Sequence, residues 1–339
     1  MDIQVKLRNV SPLFSAAPGA SAIDISGKLM PSGQGFPYVR TRRTSLLAPD
    51  ADMGTRWAEV PIIPSNTIRN LLRRIMLAEI VEPALIDNRH KLSIGAYATA
   101  YAGNQSGNPD GVASGFDEIA KMRNHPFIGL FGGGPRMLRG RLRVGHLYPI
   151  HQDALRIIGE EYQDEAAKGR LTDTVWKVRK DPIQRLTETE QTAVLQEGAE
   201  AANAWLQASL ESALSKKDGG NADEASKDER GLNAMNAHEV VIPGVSWLCK
   251  VSMESPSDAQ IGMVLSAIGR LGGNWTVAGG HAVGYGEVEL ESITLAGEVV
   301  WSGGQFNDSA MGYFDALAEA TDNLGADEFE DFAASRKGK

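Results

Sequence analysis

The chain has 339 residues, 42% of them hydrophobic, with one cysteine, six histidines and a formal net charge of −9. A chain of this size and apolar content can bury a sizeable core, and a single thiol, Cys249, excludes an internal disulfide framework. No apolar run approaches the roughly 18 residues of a membrane span, the start MDIQVKLRNV has no signal-peptide core, and the histidines lack metal-ligand spacing. The expectation is therefore a cytoplasmic protein without a membrane partner, bound metal or cofactor.

The charge is unevenly divided. Residues 1–180 hold 24 Lys and Arg against 17 Asp and Glu, and the remainder holds 10 against 26. A basic surface inside an acidic protein can still bind a polyanion, because phosphate contacts depend on local field and released counterions.

IQVKLRN alternates Ile3, Val5 and Leu7 with Lys6 and Arg8, which predicts a strand, and SAIDISGKLM predicts a second. The stretch PSGQGFPYVRTRRTSLLAPDADMGTRW reads as a long irregular loop carrying Arg40, Arg42, Arg43 and Arg56 among aromatic residues. IIPSNTIRNLLRR then opens a helix. Ser65 or Asn66 is the expected cap, Ile68, Leu71, Leu72, Ile75 and Ile80 form the apolar stripe, and Pro83 is the expected end. Arg69, Arg73 and Arg74 are expected on the opposite side, where a solvated face and a phosphate site beside the positive helix start are the two readings.

Residues 84–124 read as a mobile or weakly helical insertion. GLFGG precedes a basic strand bearing Arg139 and Arg141; its glycine run lacks the spacing and the Lys-Ser/Thr pair of a nucleotide-triphosphate loop. Residues 151–237 read as a largely helical insertion with a disordered loop over 215–231. Within it TVWKVRKDPIQRL is basic and aromatic, and Thr187 with Glu190 forms a capping-box signature. VVIPGVSWLCKVSM reads as strand, turn and strand, followed by a helix capped by Ser257 and closed at Gly272. A last strand follows the loop GGNWTVAGGHAVGYG, and residues 303–339 form an acidic tail that is either a docking helix or a frayed end.

The resulting order is βαββαβ, the pattern of an α+β, ferredoxin-like (RRM-like) domain, here a palm over about 1–80, 125–150 and 238–292 with large finger and thumb insertions. Four local motifs stand in matching order: IIPSNTIRNLLRR, GLFGG before a basic strand, VVIPGVSWLCKVSM, and GG-x5-GG-x3-GYG before the final strand. Together they resemble the RAMP superfamily of CRISPR ribonucleoproteins, most of all the backbone subunit of type IV effector complexes. The resemblance covers a little over half the chain and implies one RAMP domain spanning 1–339.

It also implies a subunit that stacks head to tail with other copies of itself along a CRISPR guide RNA (crRNA), expected to be non-catalytic because the segment before the first helix, LMPSGQGFPYVRT, holds no acidic residue. Other effector-complex subunits, and target DNA or RNA paired to the guide, are the further partners implied. The RNA role transfers by motif position to Ser65, Asn66, Arg69 and Arg73, and to Gly279, Gly280, His281 and Tyr285. Arg40, Arg42, Arg139 and Arg141 are candidates on charge and location. The thumb is expected within Val175 to Leu186, with Trp176, Lys177, Arg179 and Lys180 against the strand.

Three alternatives remain open at this point. Type III backbone subunits cut target RNA with an aspartate before the first helix; LMPSGQGFPYVRT has no acidic residue and Asp24 lies upstream, which leaves Asp50 and Asp52 for that chemistry. A processing ribonuclease would use His281 as general acid or base. A protein-only assembly module would use the arginines at interfaces.

Overall fold

The computed structural model describes residues 1–19, 21–24, 26–31, 36–50, 54–103, 115–135, 138–178, 186–196, 198–201, 203–204 and 235–333. The chain divides into two compact units, one made of Met1–Ala17, Thr41–Asp173 and Val240–Lys339, the other of Pro18–Arg40 and Thr174–Glu239.

The larger unit is built on β1 (Asp2–Asn9), β2 (Arg43–Asp50), β3 (Gly54–Pro61), α1 (Ser65–Met76), β4 (Leu142–Pro149), β5 (Ser246–Met253), α2 (Asp258–Gly269), β6 (Val288–Leu295), β7 (Glu298–Ser302), β8 (Gln305–Phe306) and α3 (Met311–Asp322). Its main sheet has the order β8-β7-β6-β1-β5-β4, with antiparallel neighbours throughout. With α1 between β1 and β4 and α2 between β5 and β6, the inner four strands have the ferredoxin-like order, extended at one edge by β7 and β8.

Alternation in β1 sends Ile3, Val5 and Leu7 to the helix-covered face, where they join Trp247, Cys249 and Val251 of β5 and the apolar stripes of α1 and α2. Burial pushes the Cys249 thiol up to about 12, which makes it an inert core residue. Asn9, fully buried, is satisfied from all sides. It accepts from Trp247 Nε1 at 3.0 Å and the Val245 amide at 3.1 Å, and donates to the Ser11 and Ile242 carbonyls at 2.8 and 2.9 Å.

The helix boundaries differ from expectation in instructive ways. α1 starts after Pro64, which has no side-chain acceptor; the Ser65 amide donates instead to His146 Nδ1 of β4, at 2.9 Å. Ser65 and Asn66 are thus the first helical residues, not caps. Pro83 does not end the helical run, because a π-helical turn over Leu77–Val81 resets the register and places it in the first turn of the next segment, Glu82–Asp87. The Glu82 amide still donates to the Leu77 carbonyl across the π turn, so the helical run continues past the proline.

α2 has the expected cap: Ser257 accepts from the Gln260 amide while Gln260 returns a bond to the Ser257 amide. Ser257→Ala is expected to lower stability by about 1 kcal/mol, read from denaturant midpoints. A change within error would show that the cap is redundant with α2's packing.

The insertion 84–124 contains helices Ile94–Ala102 and Phe116–Asn124. The acidic tail is a docking element. α3 lies on α2, where a Cβ on Gly262 would come within 2.1 Å of the Tyr313 carbonyl, and Phe329 and Phe332 of helix Asp327–Ala333 are buried. The stretch read as an irregular loop contains the hairpin β2–β3, with Leu46, Ala48, Ala58 and Val60 buried on its inner side.

The second face of the main sheet is only partly open. Ile150, Ala154 and Ile158 cover Leu248 of β5. Lys6 is ion-paired with Glu165 and Glu291, and Arg8 with Glu289 and Glu291. The cationic stripe of β1 is therefore neutralised by carboxylates, two of them on the neighbouring strand β6.

The smaller unit has a sheet in the order Thr172–Val178, Met235–Val241, Phe36–Val39, Ser21–Ile23, Leu29–Met30. Its core is Ile23, Tyr38 and Ala237 with Phe36 and Trp176. The capping box at Thr187 and Glu190 is present. Among the described residues no helix is long and apolar enough to cross a membrane.

Candidate nucleic-acid interface

The topology of the larger unit sorts the candidate residues between the two ends of its sheet. Asn9 pairs with Val288, Arg8 with Ser246, and Trp247 with Pro149. The end of β1, the end of β4 and the starts of β5 and β6 thus share one end, and in this topology α1 begins and α2 finishes there.

The glycine loop closes over that end. Gly286 and Gly279 donate from their amides to the Pro12 and Phe14 carbonyls, at 3.0 and 2.8 Å. The next residue, Ser15, accepts from the Arg42 amide, and the Arg42 carbonyl accepts from Ile62 just before α1. Arg42, the start of α1 with Ser65 and Asn66, and the loop Gly279–Tyr285 are thereby gathered on one rim.

The loop's glycines serve different needs. At Gly286, φ is +89°, and a Cβ would sit 2.3 Å from the Val277 carbonyl oxygen, so packing alone requires glycine. At Gly284, φ is +76° and nothing lies within 4 Å of a Cβ, so the bare backbone faces open space.

The amides of Val283, Gly284 and Tyr285 donate to carbonyls within the loop, like those of Gly279 and Gly286 to the segment after β1. Among the described residues, the amides of Gly280, His281 and Ala282 have no such partner. The amides without a backbone acceptor are thus three in succession. The His281 ring is exposed, with Nδ1 3.5 Å from Thr276 Oγ1, whereas Tyr285 is only 9% exposed. Beside the loop an open cleft of about 650 Å³ is lined by residues that include Gly273, Asn274, Thr276, His281, Glu287 and Glu289.

The arginines of α1 have other work. Arg73 is 3% exposed, with its guanidinium 4.7 Å from the Phe131 ring centroid and a long 3.4 Å bond to the Gly132 carbonyl. Burial, and secondarily the charge of Arg69, push it down to about 10, still cationic at neutral pH. Arg69 lies over the same ring at 5.4 Å and donates to the Phe131 carbonyl. A Cβ on Gly103 would overlap the Arg73 guanidinium. GLFGG is thus the cradle of a buried arginine. Helical spacing put Arg69 and Arg73 on one face correctly, but that face is turned inward; Arg74 is the exposed member.

Arg139 and Arg141 lie at the opposite end of the sheet, before the start of β4. Arg139 is 3.3 Å from the Glu254 carboxylate. Arg141 donates to the Ser255 carbonyl and to Asn124 Oδ1 at 3.1 Å. The structure does not bring these two together with the glycine loop.

In the smaller unit, which holds Arg40, Trp176 stands edge-on to Phe36 with ring centroids 5.7 Å apart, so it packs within that unit's core. Lys177 follows it on the same strand; Arg179 and Lys180 lie outside the described residues. Asp24 holds a turn, accepting from Ser26 and the Lys28 amide. Asp50 ends β2, 3.9 Å from the Arg56 guanidinium, and Asp52 lies outside the described residues.

His146, beside the start of α1, and Trp57, on the β2–β3 hairpin, were not among the candidate site residues. His146, which serves the first turn of α1, carried no local signal, since its partner is 81 residues away. Trp57 is 75% exposed, paired across the β2–β3 hairpin with Leu47; the alternation in TRWAEVP was the available sign.

In comparisons with known proteins, no family model matches the chain, and no curated protein matches it. Among solved structures, it is similar to a chain of a Type IV-B CRISPR Complex, with a TM-score of 0.47 and 13% sequence identity over 87% of this chain and 91% of that one.

Proposed function

We propose that this protein is a non-catalytic, guide-RNA-binding backbone subunit of a CRISPR effector complex, of the RAMP superfamily and most like its type IV branch. In this reading it oligomerises head to tail along the guide and presents it for pairing with target nucleic acid. One observation carries the proposal: four motifs spread over more than 200 residues of sequence belong to a single ferredoxin-like unit, and the glycine loop, the start of α1 and Arg42 share one rim of its sheet.

Such a rim suits a sugar-phosphate backbone. It offers unpartnered amides at Gly280, His281 and Ala282, an open backbone at Gly284, and the Arg42 guanidinium, which forms no ion pair among the described residues. Contacts of this kind hold a strand without reading its bases. Arg69 and Arg73 act in this reading as the internal support of α1, and the RNA contact falls to Arg42, Ser65, Asn66 and the Gly279–His281 segment. Arg40 and Lys177, in the smaller unit, are further basic candidates.

Sedimentation of the purified protein before and after ribonuclease treatment tests the assignment. Large species that collapse on digestion are expected, whereas assemblies unchanged by ribonuclease would indicate a protein-only module. Arg42→Ala is expected to weaken binding of a single-stranded RNA and to lower the slope of log K against log salt by about 1. An unaltered slope would remove Arg42 from the contact surface. Incubating the assembled protein with complementary RNA and a divalent metal would reveal, as regularly spaced products, the cleaving alternative through Asp50 or Asp52.

A further inference from the structure

We infer that the cleft beside the glycine loop accepts an unstacked nucleobase by its amino-bearing edge, guanine above all, and not a phosphate. This rests on the RNA-binding reading and assigns the loop's second side a different partner from its amide side.

Glu289 on β6 and Glu287, the residue just before that strand, both line the cleft. Glu289 is engaged by Arg8 at 2.6 Å, whereas Glu287 is exposed and forms no ion pair among the described residues. A free carboxylate repels a phosphate and has no proton to donate to it, so the cleft is a poor anion site although it adjoins amides that are a good one. The same carboxylate is a strong acceptor for donors held side by side, such as the N1–H and 2-amino group of guanine.

Shape points the same way. Gly273 and Gly284 leave their backbone bare, with at most one atom within 4 Å of a Cβ position. They give a planar ring flat peptide surface to lie on. The Asn274 side chain and the Thr276–His281 pair stand on the cleft's lining as further polar partners. A cleft of about 650 Å³ admits a base with part of its ribose. Single-stranded RNA is commonly read in this way, by splayed bases hydrogen-bonded along their Watson–Crick edges.

The test uses the full-length protein, freed of co-purifying nucleic acid, and three fluorescent twelve-residue oligoribonucleotides. One is all uridine, one carries a single central guanosine, and one carries inosine there, which lacks only the 2-amino group. The guanosine oligomer is expected to bind about tenfold more tightly than the inosine one, and Glu287→Gln to bring the two within about twofold. Equal binding of guanosine and inosine, with Glu287→Gln tightening all three by relief of repulsion, would overturn the inference and leave RNA binding standing. A guanosine preference untouched by Glu287→Gln would place the reader of the base elsewhere and overturn it too. Failure of all three oligomers to bind at low salt would overturn the RNA reading itself.

Discussion

Gly132→Ala is expected to lower the unfolding free energy by about 3–5 kcal/mol, enough to leave much of a marginal protein unfolded at working temperature. The residue has φ +57°, and a Cβ there would lie 2.2 Å from the Leu138 carbonyl oxygen and 2.4 Å from the Gly140 nitrogen. Both neighbours are backbone and cannot rotate away, so left-handed strain and overpacking add. The carbonyl of the same residue also accepts from the buried Arg73, so displacement exposes a second weakness.

Gly284→Ala is the control. It shares the positive φ but has open space above it, and is expected to cost only about 1 kcal/mol. Chemical denaturation of both variants distinguishes the two roles. Equal midpoints would mean that GLFGG is not a packing element.

Acidification from pH 7 to pH 5 is expected to lower stability by about 2 kcal/mol through His125 alone. Burial, with Lys121 as the smaller cause, pushes this imidazole down to about 3 from its ordinary 6.5. Its Nδ1 accepts from the Phe127 and Ile128 amides at 3.2 and 3.0 Å, which requires the neutral ring. Below pH 6.5 the unfolded chain takes up a proton that the folded one refuses, so stability falls by about 1.4 kcal/mol per pH unit until the folded value is reached. Above pH 6.5 both states are neutral and the effect vanishes.

In His125→Asn an amide oxygen can still face those two N–H groups but does not titrate. Its denaturation midpoint is expected to fall less between pH 7 and 5 than that of the parent. Parallel profiles would show that His125 is protonated in the folded protein.

What could be read from the sequence was what neighbouring residues decide. The stripe Ile68, Leu71, Leu72, Ile75 revealed α1, and the Ser257–Gln260 reciprocity is contained in four residues. The alternation of Ile3, Val5 and Leu7 identified both the strand and its buried face. Features that depend on distant partners were not legible: the cap of α1 comes from His146, the burial of Arg73 from Phe131 and Gly103, and the neutralisation of Lys6 and Arg8 from Glu165, Glu289 and Glu291.

Pro83 misled because the rule that proline ends a helix holds for a continuous α-helix and not after a π-helical turn. For the candidate interface, the loop and the start of α1 were legible as motifs. The separation of Arg139 and Arg141 from them required strand order, which no local pattern contains.

The pairing of β1 has a consequence for how the chain is made. Its partners, β5 and β6, are synthesised about 240 and about 280 residues after it, and in their absence both of its edges lack neighbours. At ordinary elongation speeds of roughly 5–20 residues per second, the first strand waits on the order of 10–50 s outside the ribosome before it can be completed. Premature termination anywhere before Ser246 would therefore release a nascent sheet with no centre, a natural client for chaperones and proteases.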